Sequence, residues 1–138
     1  MIVLDTNVLS ALMLDRPEII VAEWLNRQPY TSVWTTSVTV FEIRSGLQTM
    51  PQGRRRSHKS HAFDQLLAEI IEQRIAVFDG ASAERAAEIF AECQRNGRPS
   101  ELRDAMIAGI VLANHATLAT RNVKHFEEIA KRVVNPWG

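Results

Sequence analysis

Short apolar runs alternate along the chain with stretches of helical spacing. Ile2 to Asp5 reads as a buried strand, and Asn7 to Leu14 as a short helix that Thr6 or Asn7 can cap. Pro17 suits the first turn of a second helix reaching about Gln28. Ser32 to Thr36 is short and β-rich. Ser37 can cap a third helix, in which Val40, Ile43, Leu47 and Met50 share one face and read as core. Met50-Pro-Gln-Gly53 breaks the pattern, and a long amphipathic helix is predicted from about His58 to Arg74. Ile75 to Phe78 reads as a third strand and Ser82 to Asn96 as a helix stopped by Gly97. Glu101 to His115 is helical and nearly free of charge after Asp104. Thr117 to Thr120 follows as a fourth strand, then Val123 to Ala130 as a short helix and Arg132 to Val134 as an edge strand. Strands alternating with helices predict an α/β fold, a three-layer α/β/α sandwich whose central, mainly parallel sheet has four to five strands.

Composition narrows the class. The 138 residues suit one domain over residues 1–138, able to bury roughly two-thirds of its unfolded surface. Hydrophobic residues at 46% and charged residues at 23% are those of a globular protein. No apolar run is long enough to span a bilayer, no secretory leader is evident, and the single Cys93 leaves no internal disulfide. A cytoplasmic protein is expected.

Charge is balanced overall, with 16 basic and 16 acidic residues, which argues against a chain coated in cations for gripping duplex nucleic acid. Locally it is uneven. No acid lies between Glu42 and Asp64, where Arg44, Arg54, Arg55, Arg56 and Lys59 stand. Arg54-Arg55-Arg56 reads equally as a solvated loop or as a contact to RNA phosphates or an acidic partner.

The candidate chemistry lies in three acids. Asp5 ends the first strand, at the sheet edge where open α/β folds bind ligands. An Asp before Thr-Asn is also a common helix cap, so ligand and cap are balanced readings. Glu42 sits inside a helix, with Val38, Ser45 and Gly46 making a small-residue face. Gly46 costs helix stability, roughly 1 kcal/mol against Ala, which suggests a close approach there. Asp104 heads the apolar face of Ile107, Ala108 and Val111 and so points inward. A buried, unpaired carboxylate takes up a proton unless a cation offsets it; a salt bridge to Arg103 or Arg121 would compete with a metal. Three converging carboxylates would make an oxygen-lined site for a hard divalent cation.

Other phosphoryl-transfer patterns fit less well. A haloacid-dehalogenase-type site would want an Asp where Asn7 stands, a receiver domain wants an early acidic pair and a late Lys, and no glycine-rich phosphate loop exists. His58 and His61 share a helix face and read as exposed, as do His115 near a helix end and His125 on a surface helix. Cys93 reads as a packed thiol.

Taken in order, LDTNVLSAL at the start, SVTVFEIRSG around Glu42, LRDAMIAGIVLANHATLATRN around Asp104 and the tail VVNPWG resemble the PIN-domain ribonucleases, specifically the VapC-type and FitB-like toxins of toxin–antitoxin pairs. The resemblance covers nearly the whole chain. It implies a parallel sheet flanked by helices with an acidic pocket at one edge, and it matches Asp5, Glu42 and Asp104 to the family's metal-binding acids. A fourth acid commonly follows the fourth strand in that family. Asn122 occupies its place in Thr120-Arg121-Asn122, which implies one firmly held cation and a weaker second one.

The implied activity is endonucleolytic hydrolysis of single-stranded RNA by metal-activated water, with Mg²⁺ as cofactor and Mn²⁺ as a substitute. Thr6, Asn7 and Thr120 are candidates to orient carboxylates or bind phosphate, and Arg44 and Arg121 to contact phosphate. The implied partners are a small DNA-binding antitoxin, of ribbon–helix–helix or similar type, and a second copy of the chain. Trp24, Phe63, Leu66 and Leu67 could supply the dimer face or the core. The alternative is a catalytically weak homologue acting mainly as an antitoxin-binding co-repressor; a phosphatase or DNA nuclease using the same site is a third reading.

Overall fold

A computed structural model describes all 138 residues. Five parallel strands, β1 (Ile2–Leu4), β2 (Val33–Thr36), β3 (Ile75–Ala76), β4 (Thr117–Ala119) and β5 (Val133–Val134), form a sheet in the order β3-β2-β1-β4-β5. Ile2 pairs with Val33 on one side and Thr117 on the other, so β1 is central. The chain moves outward from β1 through β2 to β3, then crosses back to lay β4 against the free side of β1. That reversal opens a crevice beyond the carboxyl ends of β1 and β4.

The six helices are α1 (Thr6–Leu12), α2 (Ile19–Asn26), α3 (Ser37–Thr49), α4 (Arg54–Glu69), α5 (Gly80–Arg95) and α6 (Leu102–Ala113), and a 3₁₀ segment spans Val123–Arg132. Successive strand residues serve opposite faces. Leu4 and Ala119 join a core with Val8, Leu9, Trp24, Ile43 and Phe63, drawn from α1 to α4. Val3 and Leu118 join a second core with Ile89, Cys93, Ile107, Ile110 and Phe126, drawn from α5, α6 and the 3₁₀ segment. Cover on both faces explains why β1, at the centre, is apolar throughout.

Several boundaries differ from those the pattern predicts, each for a local reason. Helix α4 starts at Arg54, four residues before His58, so Arg54-Arg55-Arg56 is a helical turn, not a loop; arginine is a good helix former and Gly53, at φ 151°, supplies the break. It ends at Glu69, five residues before Arg74, because Glu72 and Gln73 turn into the left-handed region at φ 49° and 59°. Arg74 then donates to the carbonyls of Tyr30, Val33 and Ile70, tying this turn to β2. Pro17 precedes α2, whose N-cap is Glu18. Thr36, not Ser37, caps α3 by accepting from Thr39 N at 3.0 Å; the Ser37 hydroxyl accepts from Phe78 N instead, at 3.2 Å. Asp79 caps α5 by accepting from Ser82 N, which starts that helix at Gly80 and leaves β3 only two residues. The segment after Asn122 is 3₁₀ rather than α-helical, kinked at Phe126 and Ile129.

Of the two readings of Trp24, Phe63, Leu66 and Leu67 the core is the one observed, and the expectation for Gly46 is overturned. Trp24, Phe63, Leu66 and Leu67 are buried in the first core and are not a dimer face. Gly46 makes no close approach, since a Cβ there would meet nothing within 4 Å. The glycine that does is Gly109, where a Cβ would stand 2.3 Å from Ser82 O and 2.7 Å from Ala86 Cβ, so α5 and α6 cross backbone to backbone.

Candidate functional site

The crevice at the switch between β1 and β4 is organised around Asp5. Its backbone N–H donates to Ala119 O at 3.0 Å, which fixes the residue at the end of the β1–β4 ladder. The cap reading of this Asp holds: it caps α1, with Oδ1 accepting from Thr6 N at 2.8 Å, and this leaves Oδ2 for other partners. Oδ2 accepts from Thr120 Oγ1 at 2.8 Å and from Asn7 Nδ2 at 3.4 Å. Thr120 Oγ1 in turn accepts from Asn7 Nδ2 at 3.1 Å and from Asn122 N at 3.0 Å. Asn7 Oδ1 accepts from Arg121 N at 3.0 Å. These bonds lock the loop after β4 onto the start of α1, so Thr6, Asn7 and Thr120 hold the carboxylate in one orientation.

Glu42 and Asp104 reach the same region from α3 and α6. Thr6 Oγ1 donates to Glu42 Oε1 at 3.3 Å, and Arg103 Nη1 lies 3.6 Å from Glu42 Oε2. His125 Nδ1 lies 3.2 Å from Asp104 Oδ2. Burial raises the proton affinity of all three carboxyls, and mutual repulsion adds to it: Asp5 and Asp104 both lift Glu42, and Asp5 lifts Asp104. Opposing this, the Thr120, Thr6 and Asn7 hydrogen bonds pull Asp5 down, Arg103 does so for Glu42, and His125 for Asp104. The pocket is an anionic cluster that draws cationic side chains onto itself.

That donor set fits a hard divalent cation, being all oxygen and partly desolvated. No three acidic, histidine or cysteine side chains are gathered tightly enough to surround one ion directly. One or two carboxylates would touch the ion and the remainder would act through water, which is the habit of Mg²⁺.

The other candidates divide. Arg44 faces α4, bound to Asp64 Oδ1 at 2.6 Å and stacked 4.7 Å from the Phe63 ring centroid. Asn122 is exposed beside the pocket and contributes its backbone N–H. Arg121 pairs with no acid and lies over Trp137, 4.8 Å from the ring centroid. Arg103 pairs with Glu42, not with the adjacent Asp104. His125, read from the sequence as a surface histidine, was missed as a partner of Asp104; only the irregular 3₁₀ path brings it there, and no periodicity encodes that path.

Residues 2–132 match the PIN domain, and the chain belongs to that family. Among named relatives it is 35% identical to a plasmid stability protein, StbB, of Pseudomonas syringae pv. tomato over 99% of both chains. It is 31% identical to the VapC ribonuclease Y4jK of Sinorhizobium fredii, over 99% of this chain and 98% of that one. It is 29% identical to the toxin FitB of Neisseria gonorrhoeae, over 99% of both. The solved structure of FitAB bound to an IR36 DNA fragment superposes with a TM-score of 0.87 at 29% identity, over 100% of this chain and 96% of that one.

Proposed function

We propose that the chain is a divalent-metal-dependent endoribonuclease, the toxin of a toxin–antitoxin pair, acting on single-stranded RNA as one domain over residues 1–138. The carrying observation is the meeting of Asp5, Glu42 and Asp104, three carboxyls from three separate elements at the β1–β4 switch point, where burial raises the proton affinity of each and Asp5 raises that of the other two. Relatives named as a VapC ribonuclease and a toxin support the reading. Asp5 and Asp104 would hold Mg²⁺, or Mn²⁺ in its place, with Asn122 offering a neutral oxygen nearby. Bound there, the cation supplies a more acidic attacking water and charge neutralisation at the phosphate.

The chain's own groups do the rest. Thr120, Asn7 and Thr6 N–H orient Asp5 and favour its ionised form against burial. Glu42, tethered by Thr6, orients the attacking water and takes its proton. Arg103 is placed to meet the phosphate when it leaves Glu42.

The partner that fits is a small DNA-binding antitoxin whose basic side chain enters the anionic pocket; the FitAB–DNA assembly of a similar chain supports this. A homodimer in the cytoplasm completes the reading, and no helix is long and apolar enough to cross a membrane. Purified chain, free of partner, should cut RNA with Mg²⁺ and stop with EDTA, and Asp5→Ala or Asp104→Ala should abolish cutting. Cleavage by either variant at the parental rate would overturn the assignment. Absence of metal-dependent cutting by the parent would favour the antitoxin-binding co-repressor, a reading that Asn122 at the fourth acidic place also supports.

A further inference from the structure

The tail Asn135-Pro136-Trp137 takes no part in the acidic cluster, yet it is built against it. Asn135 Oδ1 accepts from Trp137 N at 3.0 Å, and Pro136 is buried, which pins the indole. Trp137 Nε1 donates to Glu18 Oε2 at 3.3 Å. The exposed guanidinium of Arg121 lies over the indole ring. Arg121 N donates to Asn7 Oδ1, and Asn7 Nδ2 reaches Asp5 Oδ2, so the stacked pair is one residue removed from the carboxylate. In front of it lies an open hollow of about 420 Å³, lined by Asn7, Ser10, Leu14, Glu18, Arg121 and Trp137.

We propose that this hollow is a nucleobase subsite, in which a base of the RNA strand next to the reacting phosphate stacks on the Arg121–Trp137 pair. Unpaired RNA bases are bound by stacking on aromatic rings and guanidinium planes. A guanidinium over an indole can present such a plane, and the Arg121 side chain forms no hydrogen bond that would occupy its N–H groups. A cation–π pair alone would serve as a surface clamp anywhere; here it borders the acids at the distance of one side chain. Glu18 spends one oxygen on the indole N–H and keeps the other for a base N–H. Asn7 both lines the hollow and bonds Asp5 Oδ2, so a strand with a phosphate near Asp5 would bring its neighbouring base to the shelf.

The subsite rests on the reading of the chain as an RNA nuclease, but its test does not need cleavage. In the ¹⁵N-labelled full chain, the indole N–H resonance of Trp137 is identified by its loss in Trp137→Phe. Adenosine, guanosine, cytidine, uridine and, as control, ribose are titrated in turn. At least one nucleoside should move that resonance saturably, and ribose should not. Arg121→Ala, at an exposed position, and Trp137→Leu should each weaken nucleoside binding about tenfold. Arg121→Lys, which is charged but not planar, should not restore it. In steady-state cleavage of single-stranded RNA, the same variants should raise KM with little change in kcat.

No response to any nucleoside, an equal response to ribose, or unchanged affinity in Arg121→Ala would overturn the proposal. So would variants that keep nucleoside and RNA affinity but lose a protein partner, because the shelf would then be a protein contact. The nuclease reading fails separately, if Asp5→Ala cuts RNA while the titrations succeed.

Discussion

Thr120 Oγ1 donates a 2.8 Å hydrogen bond to Asp5 Oδ2, joining the end of β4 to the end of β1 across 115 residues. The hydroxyl is fully buried and also accepts from Asn7 Nδ2 and Asn122 N, so its only proton goes to the carboxylate. Thr120→Val keeps the shape and removes the donor. It should weaken Mn²⁺ binding and cleavage by about 10- to 100-fold, as loss of a group that orients a metal ligand does. The Asn122 N–H loses its acceptor while Asn7 Nδ2 keeps Asp5 Oδ2, so the loss of stability should be about 1 kcal/mol. Metal titration and chemical unfolding of the same variant check both.

The pH dependence of the metal-free protein follows from the same pocket. Burial holds the carboxyls of Asp5, Glu42 and Asp104 above their ordinary values of 3.8, 4.5 and 3.8. The folded state therefore binds protons more tightly than the unfolded chain. The stabilising contribution of these groups is complete below those ordinary values and is lost as pH rises through the raised ones. Asp79 behaves oppositely: its capping bond to Ser82 N lowers it, so its contribution is lost only as pH falls below the usual Asp range. In EDTA, Tm should rise as neutral solution is acidified toward the ordinary carboxyl range and fall again in strong acid. Mg²⁺ should raise Tm at neutral pH and lose that effect on acidification. Asp104→Asn should raise the neutral, metal-free Tm and abolish the Mg²⁺ response. A metal-free Tm independent of pH over that range would contradict the picture.

Arg103 sits half exposed against Glu42, so the pair adds little to stability, about 0–1 kcal/mol. Its effect is on the carboxyl, which it holds down against burial and against Asp5. In Arg103→Gln the Glu42 carboxyl should rise further, and the acidic limb of the pH–rate profile should move to higher pH while Tm stays put. An unshifted limb would separate Glu42 from the rate-determining ionisation.

Gly109 and Gly46 give paired, opposite expectations. Gly109→Ala drives a Cβ to 2.3 Å from Ser82 O, backbone that cannot move aside cheaply, and should destabilise by about 1–3 kcal/mol or more. Gly46→Ala meets nothing within 4 Å on an exposed helical turn and should stabilise by about 0.5–1 kcal/mol. Thermal unfolding of the two variants distinguishes them by sign.

These glycines mark where the sequence was legible and where it was not. Local pattern carried the strands, because Val3, Leu4 and Leu118 are buried on both faces of a sheet and must be apolar. It also carried Asp104, because an acid heading Ile107, Ala108 and Val111 has only the interior to face. Which of two glycines touches a neighbouring helix depends on how α5 crosses α6, and helical period says nothing of that. Likewise Asp5 was readable as cap or ligand from Thr-Asn alone; its bond to Thr120 is invisible until β1 and β4 lie side by side. The early start of α4 is masked in the sequence because three successive arginines suit a charged loop as well as a helical turn. His125 and Trp137 escaped because a kinked 3₁₀ segment and a pinned tail deliver them by irregular paths.

Asn122 stands exposed beside the pocket, two residues beyond Thr120, with its N–H held by the Thr120 hydroxyl. Its backbone is held at the edge of the pocket, and its side chain brings no charge. Asn122→Asp supplies that charge without changing size, next to carboxyls whose mutual repulsion a second cation would offset. Metal-free protein should therefore lose stability at neutral pH, since a further anion joins the cluster. With Mg²⁺ the order should reverse: half-maximal cleavage should need less metal, by about tenfold, the effect of about 1.4 kcal/mol. The dependence of rate on Mg²⁺ should also steepen as a second ion becomes firmly held. A variant with the parental metal requirement would mean that this position never meets the ion.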